Sequence, residues 1–189
     1  MKRSELIESL KKDTLEVLEE VKSLETLGEE LLSRRPNPNK WSVIECIEHL
    51  NIADGHYLTL FEKKLPKAKA SDKEEYDSSW MGNYFVKVMK PRPDGSIPSP
   101  MRTMSKFDPE VKVHADTLTK FKKDQLELIK YLDMAASLDL KAIKISSAIG
   151  RLVTFRLGDA FRFVIAHNQR HIIQAKNVLK ALEEESVSV

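Results

Sequence analysis

A chain of 189 residues, 41% apolar and 32% charged, has the make-up of a helix-rich globular protein long enough to bury one core. Its 31 basic and 29 acidic side chains leave a net charge of +2 with no long basic block, which gives no case for nucleic acid; no apolar run approaches the roughly 20 residues that span a bilayer. The opening "MKRSELIESLKKD" lacks the apolar centre of an export signal, and a lone cysteine, Cys46, excludes an internal disulfide framework. One domain over residues 1–189, in a cytoplasmic setting, is the expectation.

Helical periodicity runs through four stretches, and none alternates convincingly as a strand. The first spans about Ser4 to Ser33, with Leu10, Thr14, Val17, Val21, Leu24, Gly28 and Leu31 recurring at threes and fours until the prolines of "RRPNPNK" end it. The second opens at "WSVIECIEHL" and reaches Lys64; Ser42 and Glu45 form a capping box, flanked by Trp41 and Cys46 at the staple positions. Residues 65–108 are broken by Pro66, Pro91, Pro93, Pro98 and Pro100, and only "SSWMGNYFVKVMK" there can form a short amphipathic helix. Such a long connection marks a crossover that covers something. Trp80, Tyr84, Phe85 and Met89 are expected in the core of that lid rather than in a ligand stack, and Lys87, Lys90, Arg92 and Arg102 on a solvated basic loop rather than around an anionic thiol cofactor.

The third helix is expected to start at "DPEV", with Asp108 as cap and Pro109 in its first position. It carries Val111, His114, Leu118, Phe121, Gln125, Leu128 and Leu132 along one stripe. The last helix runs from Leu157 to about Glu184 and turns Ala160, Val164, His167, His171, Gln174, Val178 and Leu182 inward. A short first link and a long second one predict an all-α, up-down-down-up four-helix bundle whose crossover joins parallel second and third helices.

His167 and His171 lie one turn apart, about 6 Å along one helix face. They are either two ligands for one ion or two core or surface histidines that share a spacing. His49, on the inner side of the second helix, adds a third imidazole. Three neutral imidazoles suit zinc, nickel, iron or copper and leave coordination positions open, where an ion would act as a Lewis acid on water or a thiol. A ferritin-like metal pair needs inward Glu and Glu-x-x-His; Glu45 precedes His49 by four residues and the last helix turns no Glu inward, which excludes it. Cys46, in an apolar register beside a cap, reads as core filler rather than a nucleophile. Gln174 either orients an imidazole or closes the bundle end. His114 is either a fourth ligand or proton shuttle, or a wet first-turn residue. His56, about 10 Å along the helix from His49, lines the pocket or the surface. Asn168 and Arg170 point away from the histidine face, toward solvent or a partner.

Together, "NKWSVIECIEHLN" and "LGDAFRFVIAHNQRHIIQA" resemble the DinB-like superfamily of damage-inducible metalloproteins. Trp41-Ser42, His49, His167 and His171 match its pattern position by position. The resemblance implies the same bundle, often as a homodimer, with His49, His167 and His171 holding nickel, zinc or iron. It further implies a metal-dependent enzyme acting on a small-molecule substrate. The reaction would be transfer of a low-molecular-weight thiol such as bacillithiol, mycothiol or glutathione, or a hydrolysis. A non-catalytic metal-binding stress-response protein and a helical interaction module are the alternatives.

Overall fold

The structure, a computed structural model, describes residues 1–98, 103–109, 116–150 and 153–187. In chain order its elements are α1 (Arg3–Leu24), α2 (Glu29–Ser33), α3 (Val43–Lys64), α4 (Trp80–Met89), α5 (Thr117–Ala135), β1 (Lys144–Ser146), β2 (Thr154–Arg156) and α6 (Leu157–Val187). The capping box at α3 is formed: Glu45 N–H donates to Ser42 Oγ at 3.3 Å, and Ser42 N–H to the Glu45 carboxylate at 2.8 Å.

Three expectations are corrected. The first helix does not run to Ser33: it ends at Leu24, the chain turns, and Gly28 opens the separate five-residue α2. The break lets Leu32 join Val43 and Ile44 in the core, while Gly28 is exposed. Asp108 and Pro109 do not start the third helix; they follow a short 3-10 turn at Ser105–Phe107, and α5 begins at Thr117. Val111, His114 and Arg102 lie outside the described residues. Finally, two strands exist. β1 and β2 pair antiparallel with Ile145 opposite Phe155, both fully buried.

Side-chain pairings set the directions of the long helices. Along α3 and α6 they run in opposite order, His49 beside His167 and Phe61 beside Phe161. Along α3 and α5 they run in the same order, Asp54 with Gln125 and Phe61 with Tyr131. On α1, Asp13 and Glu20 meet Gln169 and Lys176 of α6, whereas Lys11 and Glu25 meet Asp133 and Lys122 of α5. Thus α1 and α6 run one way, α3 and α5 the other, as a long crossover between α3 and α5 requires.

The buried apolar residues form two clusters. One gathers Leu10, Phe61, Leu128 and Phe161; the other Val17, Ile47, Phe121 and Val178. Between them each long helix contributes buried polar side chains: Thr14 from α1, Asn51 and Asp54 from α3, Gln125 from α5, and Asn168 and His171 from α6. The core is therefore crossed by a polar layer.

Part of the crossover lies against α6. Asp159, fully buried, accepts hydrogen bonds from Tyr76 Oη at 2.6 Å, from Ser79 N–H at 3.0 Å and from Ser79 Oγ at 2.8 Å. Ser79 in turn caps α4. Met89 is buried and Phe85 packs edge-on against Phe155, as a lid requires, but Trp80 and Tyr84 are not core: they stack on each other at 83% and 53% exposure. Among the described residues no helix is long and apolar enough to cross a membrane.

Candidate metal centre

The Ser42 cap sets the start of α3 and so the turn from which His49 projects, while α6 offers His167 and His171 from the opposing direction. Their ligating nitrogens all lie within 4.8 Å of one another. His49 Nε2 and His167 Nε2 are 3.2 Å apart, and the His49 and His171 rings are 4.4 Å apart between centroids. His49 and His171 are buried; His167 keeps some solvent contact, although protein atoms surround its ring densely.

The His49 ring has its orientation fixed from the crossover. Its Nδ1–H donates to the carbonyl of Phe107 at 2.7 Å, which leaves the Nε2 lone pair facing the other two imidazoles. The indole of Trp41 lies 5.1 Å from the His49 ring and 6.1 Å from that of His171, and Phe163 stacks nearly parallel on His167. Burial lowers the pKa of all three imidazoles, His167 and His171 well below the ordinary value, and mutual repulsion adds to the effect for those two. Against burial, the Phe107 carbonyl and the charge of Asp108 favour protonated His49. The neutral forms prevail, and neutral imidazole is the form that binds metal.

This donor set fits a divalent transition metal. Two nitrogens bound tetrahedrally at about 2.0–2.1 Å sit about 3.3 Å apart, close to the 3.2 Å between His49 and His167. His171 Nδ1 is buried without a partner in hydrogen-bonding geometry, although the Gln174 amide lies near enough to favour its protonated form slightly. Gln174 is thus beside His171. His56 is apart from the cluster: its Nε2 donates to the Ser146 carbonyl at 3.0 Å and its ring meets Tyr57 edge-on. His114 falls outside the described residues. Cys46 is fully buried with its thiol pushed up to about 12, inert filler as expected.

Asn168 and Arg170 do not face solvent, at 0% and 5% exposure. Asn168 Nδ2 donates to Gln125 Oε1 at 3.0 Å, and Gln125 Nε2 donates to Asp54 at 3.0 Å. Burial pushes the Asp54 carboxyl up to about 7, against the opposing hydrogen bonds of Asn168 and Gln125. This network adjoins His167 along α6, and Asp54 was not singled out by its sequence position. "FRFVIA" carries the signal that could have found Asn168, since an apolar run of that kind marks a helix buried on more than one side. The Phe107 carbonyl, a backbone atom, has no sequence signal.

No curated protein and no solved structure matches this chain. The DinB superfamily matches over residues 11–175, a span that includes the α3 cap and all three histidines, and the chain belongs to that superfamily.

Proposed function

We propose that His49, His167 and His171 hold a divalent transition-metal ion, nickel, zinc or iron, and that the chain is an enzyme activating a low-molecular-weight thiol or a water toward a small electrophilic substrate. The observation that supports this most is the convergence of three neutral imidazoles, one locked in its tautomer by the Phe107 carbonyl. When bound, the ion supplies Lewis acidity that lowers the pKa of a thiol or water. The chain's own residues do the rest. Phe107 holds the proton of His49 on Nδ1, Trp41 and Phe163 wall the site on two sides, and burial keeps the imidazoles unprotonated. A homodimer with residues 65–108 as cover completes the reading.

Tag-free protein analysed by elemental mass spectrometry should carry about one ion per chain, and His49→Ala should lose it with an unchanged far-UV circular dichroism spectrum. Unchanged metal content in that variant refutes the assignment. In cobalt-substituted protein, thiols should shift the ligand-field bands; no shift with any thiol removes that branch and leaves hydrolysis.

A further inference from the structure

An open cavity of about 370 Å³ is lined by Arg35, Lys40, Trp41, Ser105 and Asp108, among others. Its walls come from the loop before α3 and from the turn that carries Phe107. The same indole therefore floors this cavity and packs on His49 and His171. Arg35 is held rigidly: its Nε donates to Glu45 at 2.8 Å and its Nη2 to the other oxygen of that buried carboxylate. One edge of the guanidinium is thereby occupied and its charge matched, and Nη1 donates to the Pro38 carbonyl at 3.5 Å, so Arg35 serves as a wall of the cavity. Among the described residues, the charges left open are one of each sign, Lys40 and Asp108. Arg35 and Asp108 feel each other's field, yet no ion pair joins them among the described residues.

We propose that this cavity binds the zwitterionic end of an amino-acid-like small molecule. The ligand carboxylate meets Lys40, its ammonium meets Asp108, and its side chain lies on the Trp41 face. Opposite charges that line one cavity without neutralising each other select a ligand carrying both, and the aromatic floor suits an aliphatic or sulfur-containing stem. The proposal rests on the functional reading above for its purpose, since the bound molecule would be the thiol or the substrate, but occupancy of the cavity needs no metal.

Trp80→Phe leaves Trp41 as the one fluorescent indole. In that background, chelator-treated protein is titrated with three thioethers: S-methyl-L-cysteine, 3-(methylthio)propionate and 2-(methylthio)ethylamine. The zwitterion should change Trp41 emission saturably and bind about tenfold more tightly than either singly charged analogue. Asp108→Asn should weaken the zwitterion and the amine by about tenfold and spare the propionate; Lys40→Ala should weaken the zwitterion and the propionate and spare the amine. Both changes are at the cavity and leave the Arg35–Glu45 pair intact. Equal binding of the three probes, or a change below about twofold in both variants, overturns the proposal. The same pattern in His49→Ala supports the cavity even where L-cysteine leaves the cobalt spectrum untouched, an outcome that sinks the thiol branch alone.

Discussion

Replacing Asp54 by Asn isolates the cost of holding a carboxyl inside the polar layer. Asp54 is 1% exposed and its pKa is pushed up to about 7, from an ordinary value of 3.8. A carboxyl raised in this way favours the fold while protonated in both states. That advantage is complete below pH 3.8 and is lost as pH climbs to 7, because the unfolded chain ionises first. Three units of displacement correspond to about 4 kcal/mol, lost in full above pH 7. Asparagine carries no such charge and still accepts the Gln125 hydrogen bond through its oxygen. Guanidinium unfolding of both chelator-treated proteins, followed by circular dichroism from pH 5 to 8.5, measures the difference directly. The histidines titrate alike in both proteins and cancel. The stability of Asp54→Asn relative to wild type should rise by about 2 kcal/mol between pH 5 and 7 and level off above about pH 8. A difference that stays flat within about 0.5 kcal/mol refutes the neutral buried carboxyl.

The three histidines impose the opposite trend on the metal-free protein. With folded pKa values below ordinary imidazole, they stabilise above about pH 6.5 and withdraw that stability as acid charges the unfolded chain. Wild-type stability should fall as pH drops below about 6.5, His49→Asn should make that fall less steep, and bound metal should raise the whole curve. Gly82→Ala sets a Cβ inside the Asp159 carboxylate, which its partners fix in place, and should cost about 1–3 kcal/mol in thermal or denaturant unfolding while the histidine cluster still loads metal. Tyr76→Phe removes a 2.6 Å donor to that same buried carboxylate and should cost about 1.5–3 kcal/mol by the same measurement. Cys46 should resist a thiol reagent at pH 8 until the chain unfolds; rapid labelling of the folded protein would contradict its burial.

Periodicity located α3 and α6 well, because the capping box marks the start of α3 and the apolar spacing of α6 persists to its end. The histidine trio was legible for the same reason: ligands on helices inherit the helix period. The break after Leu24 was not legible, since apolar residues continue through Leu27, Leu31 and Leu32 and only Gly28 interrupts them. A single inward stripe puts Asn168 on the solvent side, whereas α6 packs against α1, α3 and α4 and buries several faces. β1 and β2, at three residues each, are too short to show alternation. Phe107 acts through its carbonyl, which every residue possesses.

The polar layer sits at the waist of the bundle, with an oily plug above and another below. Within that waist, His49 is gripped from outside α3, by the indole of Trp41 and by the turn that ends in Phe107. Any displacement of that turn therefore carries the His49 ring with it, so that the aim of one ligand is set by a segment far from it in the chain.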